Sequence, residues 1–490
     1  MTFRNRDATR LARHALNLRV ALLAAMMAFA AVSQHADADE VLGTLQRMNS
    51  HLSTDIPNAL PIRINSLRRG PNDFFRGTAD LFYSWCREHC TEWAADRDGV
   101  VQLHGDIHAG NIGTYRIGGN SGELCFSLVD LDETCAGYFA FDLLRAAVSL
   151  RFAAIENGIT LSDEKWERVS EQLCDGYASG LCGDVPDERL RSEFPVVRAL
   201  LAKAEETDAA EYFGRFVDRS DGTRFRDVVI KKGRVADINE TVDSDARSAV
   251  VSSLRGFFDG ESAAARRRQI GIKDARELDS AVLDVVRWTR LDSSGSQGVR
   301  KFLVLLKANG GPGADMMILQ LKEEPAPAAE RVGLVKPASG ANRAEAVAAA
   351  HVPLQCHHSE WVGAVVMGGV PCLVKPKSPY SKEPSAKDLN RPREIEEMAR
   401  LMGTLLGRGH ANSIGNDPGR IDAIRERLRA AAPVLNNRSA DAAVFLREAY
   451  ESLIRNPDAA RLSQVAESWI AERTGRHTKS AGKKKPGRSD

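Results

Sequence analysis

VQLHGDIHAGNIGTYRIGGNSGELCFSLVDLDETCAGYFAFDLLRAAVS, residues 101–149, is the stretch from which the rest of the chain can be read. It holds two polar clusters. The first is His104-Gly105-Asp106-Ile107-His108-Ala109-Gly110-Asn111. The second, Asp130-Leu131-Asp132-Glu133, follows an apolar run over 124–129 that predicts a buried strand. Phosphoryl transfer asks for one carboxylate beside the attacking hydroxyl, with an amide oxygen and a second carboxylate to hold Mg²⁺ on the nucleotide phosphates. A carboxylate and an amide five residues apart on one tight loop, then an Asp at a strand end after a short hairpin, can supply all three. A single Asp after a strand more often caps a helix or turn. Two clusters in this order, with Asp142 and Arg145 following, favour the chemical reading.

The block HGDxHxxN…(strand)-D-x-D resembles the catalytic and metal-binding loops of the aminoglycoside-phosphotransferase branch of the protein-kinase-like superfamily. That resemblance implies ATP and Mg²⁺ as cofactors. It makes Asp106 the catalytic base with His108 in the same loop, Asn111 and Asp130 the metal ligands, and Asp132 a second candidate carboxylate. Upstream, RRGPNDFFRG (68–77) sets two aromatics among arginines. Arg76 is there either a salt-bridge partner at a buried corner or a phosphate or substrate contact, since a guanidinium fork suits phosphate oxygens. FFRG, HGDIHAGNIGTY and VDLDET…GYFAFDLLRAAVS, with RLDSSGSQGVRKFLVLL, ILQLKEE and LGRGHAN downstream, look like the bacterial family called domain of unknown function 2252, over about 45–425.

Residues 291–322 change character, reading as loop, strand, glycine-rich turn and strand. A turn at Gly295, Ser296 and Gly298 precedes an apolar run at 302–306, and a second run at 317–321 ends in Lys322. Backbone N–H groups on such a turn can approach phosphates, and a strand lysine can neutralise them. Residues 341–350 predict a short helix carrying Glu345, a partner for Lys322 in competition with Glu323 and Glu324. Strands at 361–368 and 370–375 and an amphipathic helix at 394–410 follow. Lys375 and Lys377 read as rim charges, and His410 as a packed or capping histidine. The resemblance implies the order glycine loop, lysine strand, glutamate helix, two strands, long helix, catalytic loop and metal loop. Here the first five lie at 293–410 and the last two at 104–133. The expectation is therefore an α+β, bilobal, kinase-like fold in circularly permuted order, which folds tolerate when termini lie close at the surface.

Domain expectations follow. A helical lobe with both loops spans 39–290, a nucleotide-binding β-rich lobe 291–392, and helices packing on the helical lobe 393–473. Within the first, 139–152, 163–182, 186–205, 245–258 and 274–290 carry helical periodicity, and 218–237 reads as a loop and short hairpin. Residues 1–38 resemble an export signal, with a basic lead, an apolar core at 20–32 and an A-x-A site at 36–38. This points to an exported or periplasmic protein, the alternative being a cytoplasmic one, and an exported kinase is at odds with the cytoplasmic supply of ATP. The core is too short for a transmembrane span. The basic tail over 474–490 lacks apolar residues and reads as disordered.

A net charge of +1 excludes a global field for nucleic acid or membrane, and 6% aromatic residues offer no base-stacking platform. The eight cysteines are scattered and match no usual zinc spacing; export would permit Cys86/Cys90 or Cys174/Cys182 to be oxidised. The functional expectation is an ATP-Mg²⁺-dependent phosphotransferase acting on an unidentified hydroxyl acceptor, a small molecule by the resemblance. The alternatives are a nucleotidyl transferase at the same site, a non-catalytic nucleotide-binding module, and a metal-dependent hydrolase using Asp130, Asp132 and His108.

Overall fold

A computed structural model describes residues 38–475 apart from 51, 53–55, 57, 184–186, 221, 293, 296, 310–314, 338–339, 341 and 356. The export-signal expectation at 1–37 and most of the basic tail lie outside the described residues. Among the described residues no helix is long and apolar enough to cross a membrane.

The architecture is mixed α+β. Helices Ala59–Leu67, Pro71–Gly77 and Ala79–His89 lead into β1 (Val100–Leu103). After the first polar loop come β2 (Ile112–Gly118) and β3 (Ser121–Leu128), an antiparallel hairpin, and then β4 (Cys135–Tyr138), which pairs back onto β1. Leu103 faces Cys135 and Ile112 faces Leu128, so both polar loops leave paired strand ends on the same side. That topology, more than any single contact, brings 104–111 and 129–134 together.

Helix Ala140–Glu156 follows directly and is almost wholly buried. Helices Asp163–Leu181 and Pro392–Ser413 cross with their backbones in contact, because glycines stand at the crossing. A Cβ on Gly176 would lie 2.2 Å from the Arg400 carbonyl oxygen, and one on Gly403 2.1 Å from that of Leu173. Any side chain there would force the helices apart. The helix expected over 186–205 divides at Pro195, which starts its own helix Pro195–Glu205 because proline suits the first helical turn.

The second body of structure is a seven-stranded antiparallel sheet. A two-residue ribbon of β5 (Val217–Asp218) and β6 (Arg224–Phe225) precedes it. Its strands are β7 (Val228–Lys231), β8 (Arg234–Thr241), β9 (Val282–Arg290), β10 (Lys301–Lys307), β11 (Met316–Glu323), β12 (Gly363–Met367) and β13 (Val370–Pro376). They pair in the order β12-β13-β11-β10-β9-β8-β7. Here the sequence expectation needs correction, since 274–290 is not a helix. A short helix Leu278–Ala281 gives way to β9, VLDVVRWTR, whose β-branched and aromatic residues suit a central strand. The hairpin expected over 218–237 is present as β7 and the start of β8, so β9 is the sheet strand that comes from residues expected to be helical.

Period-two alternation sorts the sheet into two faces. Phe302, Val304 and Leu306 pack with Met317, Leu319 and Leu321 against helix Ser244–Phe258 and Trp361. Leu303, Leu305, Met316 and Ile318 face the other way, onto Phe213, Phe216 and Trp288. Each such side chain, fully buried, contributes roughly 1.5–3 kcal/mol. The second face ends in polar residues, with Lys301 opposite Lys322 and Gln320 opposite Lys375. This polar end of the sheet looks onto the two loops.

Candidate active site

Asp142, in the first turn of helix Ala140–Glu156, organises the first loop. Its carboxylate accepts the backbone N–H groups of His104 at 2.6 Å and Gly105 at 3.0 Å, and His410 Nε2 donates to it at 3.1 Å. Burial alone would raise this carboxyl. The bond and charge of His410, with His104 and the Gly105 amide, outweigh that and hold it below its ordinary value. His104 ties the loops together: Nε2 donates to the Val129 carbonyl at 3.0 Å and Nδ1 accepts the Asp106 N–H at 3.2 Å. The Val129 N–H in turn donates to the Asn111 carbonyl at 2.9 Å. Gly105 has φ 84°, and a Cβ there would lie 2.0 Å from the Glu133 carbonyl oxygen. Gly105→Ala is therefore expected to displace the Asp106 loop and lower the unfolding free energy by about 1–3 kcal/mol, measurable by urea denaturation.

Asp106 sits against a buried cation. Arg145 donates to Asp106 Oδ1 from Nε at 2.8 Å and from a terminal nitrogen at 2.5 Å, while its guanidinium stacks 4.3 Å over the Phe75 ring. The second oxygen, Oδ2, is left facing His108 Nε2 at 4.0 Å. Burial raises the Asp106 carboxyl to about 6, and Arg145 only partly offsets it. The resulting carboxylate is fixed through one oxygen and open at the other, as a proton acceptor at neutral pH must be. Asn111 Nδ2 donates to the Asp106 carbonyl at 2.8 Å, which orients the amide.

Asp130 adopts φ 60°, a left-handed conformation uncommon outside glycine. Such strain persists where surrounding structure enforces it and clusters at functional sites. Its carboxylate meets Lys375 Nζ at 3.0 Å. Burial would raise it, but Lys375 and Lys322 together hold it well below the ordinary value. Asp132 Oδ2 contacts Lys322 Nζ, while its Oδ1 is buried, accepts no hydrogen bond and lies 3.9 Å from Lys375. Arg343 pins the Asp132 carbonyl at 2.6 Å.

Three expectations are corrected here. Glu345 does not serve Lys322; it closes the N-terminus of helix Arg343–Leu354 in a capping box with Asn342. The carboxylates at Lys322 are Asp132 and, at 3.5 Å, Glu324. Lys375 is no rim charge but the direct partner of Asp130, and Lys377 is held between the Trp288 ring at 4.3 Å and the Phe216 ring at 4.8 Å. Burial pushes Lys377 down to about 8. His410 is packed, as expected, though its bond to Asp142 gives it a part in holding the loop.

Arg76 donates from Nε to His108 Nε2 at 3.1 Å, while the Gly110 N–H donates to His108 Nδ1 at 3.0 Å. Burial, Arg76 and Arg145 lower the His108 imidazole well below its ordinary value. A neutral imidazole has a single lone pair, so the two donors compete for it. Arg76, Asp130, Asp132 and Lys322 form the divide between two cavities. The larger, about 340 Å³, runs from Asn111 and Lys375 to the aromatic side chains of Tyr212, Phe216 and Trp288. The smaller, about 60 Å³, contains Asp106, His108 and Glu324.

The glycine turn lies at the smaller cavity, not over the larger one. Gly295 lines it, with its carbonyl held by Arg63 at 2.7 Å, and Gly298 turns at φ 89° against Leu52. Ser296 lies outside the described residues. Among the described residues no three His, Cys, Asp or Glu side chains form a metal cage by themselves. The oxygens of Asn111, Asp130 and Asp132 are hard donors of the kind Mg²⁺ takes, and Mg²⁺ commonly binds through one or two carboxylates with phosphates completing its shell. The buried, unbonded Asp132 Oδ1 fits that use.

A family model described as an uncharacterised protein conserved in bacteria matches residues 55–456. The chain belongs to the domain of unknown function 2252 family. No curated protein matches it. No solved structure matches it either. The domain of unknown function 2252 match encloses both polar loops, the whole seven-stranded sheet and the helix bearing His410. Helix Pro457–Arg473 falls beyond it. The match also includes Arg145, Lys375 and Glu324. Of these, Arg145 had a sequence signal in its three-residue spacing from Asp142, which puts both on one helical face.

Proposed function

We propose that this protein is an ATP-Mg²⁺-dependent phosphotransferase acting on the hydroxyl of a small molecule, with a kinase-like lobe pair in circularly permuted order. One observation carries the reading. Asp106 and Asn111 on one loop and Asp130 and Asp132 on the next are tied together through His104, and they face Lys322 and Lys375 of the sheet. In this reading the larger cavity takes the nucleotide, with its aromatic end toward the base and the two lysines toward the phosphates. The smaller cavity, which holds Asp106, takes the acceptor. Asp106 Oδ2 accepts the hydroxyl proton as the acceptor oxygen bonds to the γ-phosphorus. The bond from that phosphorus to the β–γ bridging oxygen breaks, and ADP leaves. Asn111, Asp130 and Asp132 would hold Mg²⁺, whose charge offsets that of the phosphate oxygens. Arg76 lies at the divide between the cavities, within reach of the group in transfer.

The test is ATP binding to the full chain by calorimetry, with Mg²⁺ and with EDTA. Mg²⁺-dependent binding is expected in the wild type, and Asp130→Ala should weaken it at least about tenfold, since even residues behind a metal ligand commonly have effects of that size. Absence of ATP binding under every metal condition would overturn the proposal.

A further inference from the structure

We propose that Glu324 is a positioning residue, which takes the Lys322 ammonium over from Asp132 when a divalent cation enters between the two loops and the sheet. The inference rests on the phosphotransferase reading in taking Asp132 as a cation ligand. Lys322 and Glu324 stand two residues apart where β11 ends, so they point to the same side. Lys322 Nζ contacts Asp132 Oδ2 and lies 3.5 Å from Glu324 Oε1. The Glu324 side chain is wholly buried, and neither of its oxygens accepts a hydrogen bond.

A buried carboxyl without a donor is costly, and so is a buried lysine stripped of its partner. A cation bound by Asp132 would repel both lysines. Lys375, 22% exposed at its side chain, can turn to water or to phosphate oxygens. Lys322, 7% exposed, is enclosed and needs an internal counter-charge. Glu324 supplies one within a small rotation of the lysine side chain. Burial and the Asp132 carboxylate raise the Glu324 carboxyl to about 8, so it gives up its proton as Lys322 arrives. Metal entry moves the ammonium from Asp132 to Glu324 and off the cation site. Glu345 cannot serve in this way, being committed to its helix cap.

Mn²⁺ alone, titrated into the full chain by calorimetry, is the probe. Glu324→Gln keeps the shape but cannot ionise, so Lys322 stays on Asp132, and Mn²⁺ affinity should fall about tenfold with an unchanged melting temperature. Lys322→Met vacates Asp132 and should raise Mn²⁺ affinity by about the same factor; in that background Glu324→Gln should have no further effect. Unchanged affinity in Glu324→Gln, or an equal loss with and without Lys322, would overturn the proposal. Should Glu324→Gln not fold, Lys322→Met alone decides, since affinity no higher than wild type means that Lys322 does not compete for the cation. ATP titrated into the Mn²⁺-loaded wild type reports separately on the phosphotransferase reading. Failure there leaves the ion-pair exchange to be judged on the Mn²⁺ series.

Discussion

Asp106→Asn is expected to cut phosphoryl transfer by roughly 10²–10⁴-fold while leaving Mg²⁺-dependent ATP binding near the wild-type value. The two effects separate because Asp106 lines only the smaller cavity, whereas Asn111, Lys322 and Lys375 face the larger one. Asparagine retains an oxygen to accept from Arg145, so that contact is kept, and the Asp142 bonds to the loop backbone are untouched. What is lost is the open oxygen to which the proposed mechanism assigns the proton. The pH dependence gives a second signature. Only the ionised carboxylate can accept the proton, and burial sets that ionisation at about 6. Wild-type turnover should rise as pH increases through about 6 and level off above it, and the residual turnover of Asp106→Asn should lack that limb. Single-turnover transfer from ATP, followed with calorimetric binding on the same samples, checks both. A variant that loses binding and turnover together would remove Asp106 from the role of base.

Asp142→Leu should lower the unfolding free energy by about 3–5 kcal/mol, because it leaves buried donors behind rather than removing a whole network. The His104 and Gly105 amides and His410 all lose their acceptor, and none has access to water. The pH sign follows from the lowered carboxyl. Its contribution is present above the unfolded value near 4 and disappears as pH falls through the lower folded value. Urea unfolding at neutral pH should show the full difference between Asp142→Leu and wild type, and the gap should narrow under strongly acid conditions. A difference below about 1 kcal/mol at neutral pH would mean that the loop is held by other contacts.

The two loops were legible in the sequence because each is short and its residues act locally. A histidine–glycine–aspartate turn and an Asp-x-Asp after an apolar strand keep their spacing whatever surrounds them. The strands around Lys322 and Lys375 were legible for the same reason, through turn glycines and period-two alternation. Two kinds of information were not. The first is which carboxylate meets a lysine across strands. Helical placement favoured Glu345, but its position at the third residue of a helix after Asn342 commits it to the cap. Asp132, from the second loop, is the direct partner of Lys322, with Glu324, two residues along from Lys322, at 3.5 Å. The second is the type of a mixed apolar stretch. VLDVVRWTR in β9 has apolar residues compatible with either period, and only its pairing with β8 and β10 selects the strand. Lys375 escaped notice as a site residue because its role depends on register, which places β13 beside β11 and Lys375 opposite Gln320.

The bond between His410 and Asp142 spans 268 residues of chain. It has a consequence for the order in which the protein comes into being. A ribosome makes the Asp106 loop early, and the helix that delivers His410 only after the whole seven-stranded sheet has emerged. Until then the Asp142 carboxylate lacks its hydrogen bond from His410, and the glycine-lined surface of helix Asp163–Leu181 has no helix to receive it. A nascent chain ending between residues 376 and 410 therefore carries the residues of both loops and of the sheet lysines but not His410. The contact that completes the Asp142 cluster is thus made only after the whole sheet has been synthesised.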